Sequence, residues 1–456
     1  MVLSIKSNYF TETLMALQIL KLFNFSLKIN GFNIAKANTA LAKIEALQDS
    51  EFETYVKTQK QTILNYHLTH NSFYKSFGKT IDVKRWETVP IMTKRHLQIP
   101  LEKRLSTNFK NSTVYINKTS GSSGEPFVFA KDKWCHSMTW AEIINRFSWY
   151  GIDFNTSKQA RFYGIPLDKR SYYKERLKDW LGNRVRFSVF DLSDTAFDAT
   201  LACFKTTKFH YINGYTSAVV QFAKYLDRKS IVLKTVCPTL KVCVTTSEML
   251  FKDDKVILEK QFGIPIINEY GASELDLIAF ENPKGKWQVN SETLYVEILD
   301  ANDKVLPLGE EGRIVITALY NKAHPFIRYD IGDTGVLSKT STLQHPILEK
   351  LTGRTNDIIN LPSGKKAAGL TFYYITKSII ENDGNVSEFI IEQIALDAFK
   401  IVYVSQHELS ETKKLAITFE IERYLEPRIK VNFSRVAQLK RSKSGKLKQF
   451  ISHLDL

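Results

Sequence analysis

From residue 112 onward the chain alternates two textures, and that alternation admits few folds. Short β-branched or aromatic runs, such as Val114–Ile116, Thr239–Thr245 and Ile264–Ile267, are separated by longer amphipathic stretches, such as Trp134–Trp149 and Ser217–Leu226. Buried strands joined by amphipathic helices predict an α/β domain with mostly parallel strands. Residues 287–337 change character. Apolar and polar positions alternate along 293–299 and 313–317, with turns at Asn302-Asp303 and Gly309–Gly312, which predicts antiparallel strands. Residues 1–85 carry apolar side chains at helical spacings with few breakers. A chain of 456 residues exceeds one ordinary core, so two or three domains are expected. The best boundary falls at Thr352–Asp357. Beyond it come a Pro-Ser-Gly turn, a helix around 371–380, strand-like runs at 388–394 and 400–404, and a helix–strand tail. The expected division is a helical region packed on the main domain (1–85), the main domain (86–352), and a small C-terminal α+β unit (353–456).

Composition narrows the partners. The 4 cysteines, at 135, 203, 237 and 243, form no C-x-x-C pair. That argues for a reducing compartment, against a disulfide framework or zinc ribbon, and for core thiols at Cys237 and Cys243. No apolar run is long enough to span a membrane. The stretch from Leu14 to Ile29 is interrupted by Gln18, Lys21, Asn24 and Lys28 and reads as an amphipathic helix rather than a signal peptide. A cytoplasmic protein without a transmembrane segment is therefore expected. The formal net charge of +15 attracts polyanions. Its densest stretch is Arg428–Lys448, but no zinc finger, RNA-recognition signature or basic zipper accompanies it, so nucleic acid is not the expected partner. ATP or CoA would answer the same charge.

One segment has no use in a packed core. Thr119-Ser120-Gly121-Ser122-Ser123-Gly124-Glu125-Pro126 follows the strand-like Ser112–Ile116. Its glycines let backbone N–H groups approach phosphate oxygens, and its hydroxyls add neutral donors. It lacks the Gly-Lys-Ser/Thr ending of a Walker loop. Taken singly it could equally be a flexible surface turn. Four more segments follow in order: Asn268-Glu269-Tyr270-Gly271-Ala272-Ser273-Glu274, Arg328-Tyr329-Asp330-Ile331-Gly332-Asp333, Thr352-Gly353-Arg354-Thr355-Asn356-Asp357, and Lys440-Arg441-Ser442-Lys443-Ser444-Gly445-Lys446. This ordered set resembles the adenylate-forming superfamily of acyl-CoA synthetases, adenylation domains and luciferases. The likeness is greatest to its phenylacetate–CoA ligase branch, with the CapK-like proteins and coenzyme F390 synthetases. Val89–Lys94 is similar to that branch's P-x-x-x-K lead-in. Asn213-Gly214-Tyr215-Thr216-Ser217 is similar to its G-Y-P-S element, with Thr216 in place of Pro. The resemblance runs from about residue 85 to the end of the sequence.

The resemblance implies a large N-terminal adenylate-forming domain, with mixed sheets and an antiparallel element, and a C-terminal lid. It implies ATP and Mg²⁺ as cofactors, a small carboxylic acid as substrate, and CoA or another nucleophile as acyl acceptor. Thr119, Ser120, Gly121, Ser122, Ser123 and Gly124 would wrap the β- and γ-phosphates. Tyr270 would stack on adenine, with Gly271 and Ala272 letting the ring lie close. Ser273 would contact the α-phosphate, and Glu274 would carry Mg²⁺. Asp333 and Arg354 would hold the ribose. Lys446 would enter from the lid to the α-phosphate and the substrate carboxylate. The hinge maps onto Asn356, where a carboxylate is more usual. Tyr211, Gly214 and Tyr215 would line the acyl pocket, between the Thr245-Thr246-Ser247-Glu248 segment and Gly271–Ala272. Plainer readings stand beside these: Glu274 as an exposed helix-start glutamate, Asp333 as a turn cap, and Tyr211 and Tyr215 as core aromatics. His136, His210 and His324 lack ligand spacing, and Glu281 and Glu297 take no role. The CapK likeness brings in surface-polysaccharide biosynthesis as a setting. The F390-synthetase likeness brings in an alternative reaction, transfer of AMP to a hydroxyl.

Overall fold

The computed structural model describes residues 22–78, 81–119, 127–164, 169–354, 358–364, 366–368, 380, 385–441 and 447–454. Four helices lead: α1 (Leu22–Ile29), α2 (Ile34–Glu45), α3 (Asp49–His70) and α4 (Ser72–Phe77). Asparagines start two of them. Asn33 accepts from the Lys36 N–H, and Asn71 accepts from the Tyr74 N–H, satisfying donors that a helix start leaves open. The apolar faces of α2 and α3 meet Met138 and Ala141, while Phe23 and Leu27 pack beside Trp140 and Phe154.

The main α/β unit follows. Strand β1 (Met92–Thr93) precedes a hairpin of β2 (Tyr115–Lys118) and β3 (Val128–Lys131). Then come α5 (Lys133–Ser148), β4 (Gln159–Phe162), α6 (Lys169–Leu181), β5 (Arg184–Phe187) and α7 (Asp194–Thr206). They are followed by β6 (Tyr211–Tyr215), α8 (Thr216–Arg228), α9 (Leu233–Val236), β7 (Val242–Thr246) and α10 (Lys252–Phe262). Strands β8 (Ile266–Ala272), β9 (Asp276–Glu281) and β10 (Trp287–Val289) complete a seven-stranded sheet of order β10-β9-β8-β7-β6-β4-β5. Strands β5, β4, β6, β7 and β8 are parallel, and β9 and β10 turn back antiparallel. The predicted parallel core is present. The expected run at 239–245 starts later, at Val242, because Pro238 and Thr239 turn the chain before the strand.

An antiparallel sheet covers the residues whose alternation predicts it and runs on to residue 354, while antiparallel pairing already begins at β9. Strands β11 (Leu294–Leu299), β12 (Glu311–Ala318), β13 (Tyr329–Leu337) and β14 (Leu348–Arg354) form a sheet that β1 joins by pairing parallel with β13. A short pair, β15 (Ile358–Asn360) and β16 (Lys366–Ala368), follows. The C-terminal sheet holds β17 (Val386–Ala395), β18 (Ala398–Ser405), β19 (Lys430–Arg435) and β20 (Phe450–Ser452), with α11 (Glu411–Tyr424) packed on it. Its core takes in Phe251 from the main unit. The four cysteines are free. Among the described residues no helix is long and apolar enough to cross a membrane.

Candidate active site

In a sheet of this topology the chain leaves β4 in one direction, to β5, and returns on the other side, to β6. A crevice opens outside the carboxyl ends of strands at such a switch point. Tyr163, just past β4, and Tyr215, ending β6, set their rings 4.5 Å apart there. At the end of β7, Thr246 Oγ1 donates across to Glu269 Oε1, on β8, at 3.0 Å. Burial raises the Glu269 carboxyl above the ordinary carboxylate range. Arg161, on β4, lays its guanidinium 3.9 Å over the Tyr163 ring.

Beside this crevice, β8 turns into β9 through Ser273, Glu274 and Leu275. Gly271 is obligatory in that turn. A Cβ there would lie 2.4 Å from the Asp276 carbonyl oxygen, which is backbone and cannot move aside. The turn sinks Glu274 to 7% exposure, where Oε1 accepts from the Tyr329 hydroxyl at 2.9 Å. The helix-start reading of Glu274 does not hold: a β-turn, not a helix, follows Ala272. Burial and the Glu274 charge together push the Tyr329 phenol far up. Tyr270, one strand residue before Gly271, donates from its hydroxyl to Asp333 Oδ2 at 2.7 Å. Asp333 lies inside β13, not in the turn expected for it, because β13 continues through Gly332 (φ 82°) to pair with β14. Arg354 sits directly opposite Asp333 in that pairing. Ala272 ends β8 half-buried, and Ser273 is exposed.

Three tethers assemble these pieces. Thr119 and Phe127 close the base of the β2–β3 hairpin: the Thr119 N–H donates to the Phe127 carbonyl at 2.9 Å, and the Phe127 N–H donates to Thr119 Oγ1 at 3.0 Å. The hairpin is then fastened to the β8–β9 turn by an ion pair between buried Lys131 and Asp276. The lead-in strand β1 joins β13 through the Met92 N–H, which donates to the Arg328 carbonyl at 2.9 Å. Arg328 is itself buried at φ 43°. Glu297 (3.3 Å) and the Val89 carbonyl (2.9 Å) hold its guanidinium.

Tyr211, Gly214 and Tyr215 do not share one wall. Tyr211 starts β6, at the end away from the crevice, and its ring packs on Phe147 and Phe154. It is a core aromatic, which corrects the pocket expectation. Gly214 turns its missing side chain inward: a Cβ would meet Phe162 Cβ at 2.6 Å and Val219 Cγ2 at 2.7 Å. Only Tyr215 reaches the crevice end. Ser120, Gly121, Ser122, Ser123, Gly124, Asn356 and Lys446 lie outside the described residues, as does the side chain of Arg354. His136 packs between Tyr115 and Phe32, His210 Nδ1 accepts from the Lys158 N–H, and His324 meets Arg104, so all three serve packing. Glu281 accepts from the Asn268 N–H at 3.0 Å and from Lys255, and Glu297 braces Arg328. Both acids acquire structural work.

Sequence reasoning missed Lys131, Tyr329 as the Glu274 partner, and Glu269 as the partner of Thr246. Only Thr246–Glu269 left a local trace: polar residues ending two apolar strand runs. Among the described residues no three His, Cys, Asp or Glu side chains are grouped to hold a metal ion. Glu274 offers one hard oxygen donor group. That suits a cation whose other ligands are phosphate oxygens and water.

No family model matches the chain. It is 22% identical over 364 residues to Protein CapK of Staphylococcus aureus, covering 76% of each chain. It is 30% identical over 129 residues to a phenylacetate-coenzyme A ligase of Aromatoleum evansii, covering 26% of this chain and 29% of that one. Its fold is similar to 2-hydroxyisobutyryl-CoA ligase in the postadenylation state in complex with R3-HIB-AMP. The TM-score is 0.68 at 16% identity, over 90% of this chain and 91% of that one. The same ligase in the thioesterification state gives 0.56 at 16% identity, over the same shares.

Proposed function

Because this chain belongs to the adenylate-forming superfamily, on its phenylacetate–CoA ligase-like branch, we propose that it activates a carboxylic acid with ATP and passes the acyl group to CoA or another nucleophile. In the first step a carboxylate oxygen attacks the α-phosphorus, a C–O–P linkage forms, and the bond to pyrophosphate breaks. In the second, a thiol, amine or hydroxyl attacks the acyl carbon, loses its proton, and releases AMP. The observation that carries the reading is the convergence of Tyr270, Glu274, Asp333 and the closed base of the 119–127 loop beside the switch-point crevice.

Each residue has a task that fits its place. Asp333 is a buried carboxylate able to accept from two ribose hydroxyls, with Arg354 across the ladder from it. Tyr270, on β8 of the seven-stranded sheet, would stack its ring on adenine. The 119–124 segment, anchored at Thr119, would wrap the terminal phosphates, and Ser273 is accessible to the α-phosphate. Glu274 would hold Mg²⁺, which offsets phosphate charge when bound. Lys446 would supply a cation at the α-phosphate and the acid, entering from the C-terminal unit as a lid that turns about Asn356. We divide the chain accordingly at 85 and 352. Tyr215, with Thr246 and Glu269, gives the acid site one aromatic and one polar wall, which favours an acid bearing a hydrogen-bonding group of its own. A cytoplasmic role in surface-polysaccharide biosynthesis fits the CapK similarity.

The test is pyrophosphate release from Mg·ATP across aromatic, hydroxylated and amino acids, with wild type beside Lys446→Ala. Acid-dependent release that the substitution abolishes is expected. Release that ignores every acid yet rises with a hydroxylated acceptor would replace this reading with AMP transfer. Failure to bind ATP would overturn both.

A further inference from the structure

Helix α6 is built the wrong way round for a helix that packs by its apolar face. Its acidic residues point inward: Asp179 is buried and binds Arg184 and Arg186, and Glu175 binds Arg186 at 2.9 Å. Its apolar residues point outward. Tyr173, Leu177 and Trp180 are 70%, 57% and 55% exposed. At about 100° per residue these three positions form one stripe. Lys174 lies on one flank and Arg176 on the other, both exposed. Helix α1 packs against α6 and carries Phe25 and Ile29, four residues apart and exposed, with exposed Lys28 beside them.

Surface helices ordinarily bury such a stripe. Here ion pairs hold the helix down and leave the stripe free, so the stripe is arranged for something outside the fold. The charge pattern selects what that is. Across 169–181 there are five Lys and Arg residues against two acids: Asp179 is engaged inward, and Glu175 binds Arg186 inward and Lys178 on its own helix. A second copy of the chain would set these cations against themselves. One 13-residue helix, roughly 20 Å long, also falls short of the area a stable dimer needs. Residues 1–21 carry Lys6, Glu12 and Lys21, a net charge of the wrong sign to neutralise the flanks. An anionic lipid surface satisfies both halves of the pattern. Tyr, Leu and Trp side chains enter the headgroup boundary while Lys and Arg meet lipid phosphates.

We propose that the α6 stripe, with Phe25 and Ile29 of α1, docks the protein peripherally on anionic membranes. The residues lie outside the adenylation machinery, so the two proposals stand or fall separately.

The experiment is co-sedimentation of the full chain with vesicles of phosphatidylcholine and phosphatidylglycerol, beside vesicles of phosphatidylcholine alone. Binding to the anionic vesicles is expected to exceed binding to the neutral ones by roughly tenfold or more and to weaken with salt. The triple variant Tyr173→Ser, Leu177→Ser, Trp180→Ser should lose it. Lys174→Glu with Arg176→Glu, which keeps the stripe, should lose it as well. Leu415→Ser with Phe419→Ser, an exposed apolar pair on α11, should leave it unchanged. Equal partition to both vesicle types, binding that survives both α6 variants, or a dimer by light scattering that the triple variant dissociates would each overturn the proposal.

Discussion

Glu274 and Tyr329 show how a residue's meaning depends on a partner 55 positions away. The local spacing Tyr-Gly-x-x-Glu is legible, and it places an acid three residues after an obligatory glycine. That this acid is buried, and that a phenol bonds to it, is not legible. The bond has a consequence that can be measured. A hydrogen bond to a charged acceptor contributes about 1.5–3 kcal/mol. Tyr329→Phe should leave Glu274 less firmly placed and shift the Mg²⁺ dependence of pyrophosphate release to higher concentration, with a rate loss of about tenfold at limiting metal. Glu274→Gln should lose far more at any Mg²⁺ concentration. An unchanged Mg²⁺ curve in Tyr329→Phe, with the fold intact by circular dichroism, would detach Tyr329 from the site. Asp333 teaches the same lesson from the other side. A Gly-Asp pair reads locally as a turn, yet pairing with β14 draws it into a strand.

At the scale of elements, the hairpin β2–β3 is the informative case. Among the described residues it is two short strands pairing only with each other, an arrangement of marginal stability alone. Its position is set by the Lys131–Asp276 ion pair and by Phe127 and Phe129 in the core shared with Tyr270. Lys131 is buried while Asp276 keeps partial access to water, so removing the lysine leaves a carboxylate that solvent can still reach. Lys131→Met should therefore cost about 1–3 kcal/mol, below the value for a fully buried pair. Because the hairpin carries the 119–127 loop, the same change should raise the KM for ATP more than the KM for the acid. Equal effects on both would show that the pair stabilises the fold without placing the loop. Periodicity in the sequence finds the two strands but not the tether, since nothing local couples residues 145 apart.

For the whole molecule, three histidines make folding sensitive to acid. His67 and His136 are held down to about 4 by burial, and His324 is driven well below its usual range by burial and by Arg104 beside it. The unfolded chain takes up these protons near 6.5, whereas the folded chain resists until much lower pH. Between those values the unfolded state binds more protons, so stability falls as pH falls. His67 and His136 should each contribute a loss on the order of 3 kcal/mol, complete below about pH 4. Urea midpoints taken stepwise from neutral pH downward should decline through this window. A flat profile would contradict the burial of these rings. The C-terminal unit is joined to the rest at Phe251 and through hydrogen bonds that include the Leu447 N–H to Glu248 Oε1 (2.8 Å), Gln221 to the Ser387 carbonyl (2.7 Å), Gln438 to the Phe190 carbonyl (2.7 Å) and Arg441 to Ser217 Oγ (3.1 Å). What could be read along the chain was periodic and local: the alternation that makes parallel strands and helices, the antiparallel strands within 294–337, the order of the five motifs, and the free thiols. These follow from backbone geometry and side-chain period, which act over a few residues. That Tyr211 is core, that Gly214 faces inward, that Asp333 meets Tyr270, and that α6 wears its apolar side outward became visible in the folded chain alone. Each of those depends on which surfaces meet across long separations, and burial is a property of the assembled chain rather than of any stretch within it.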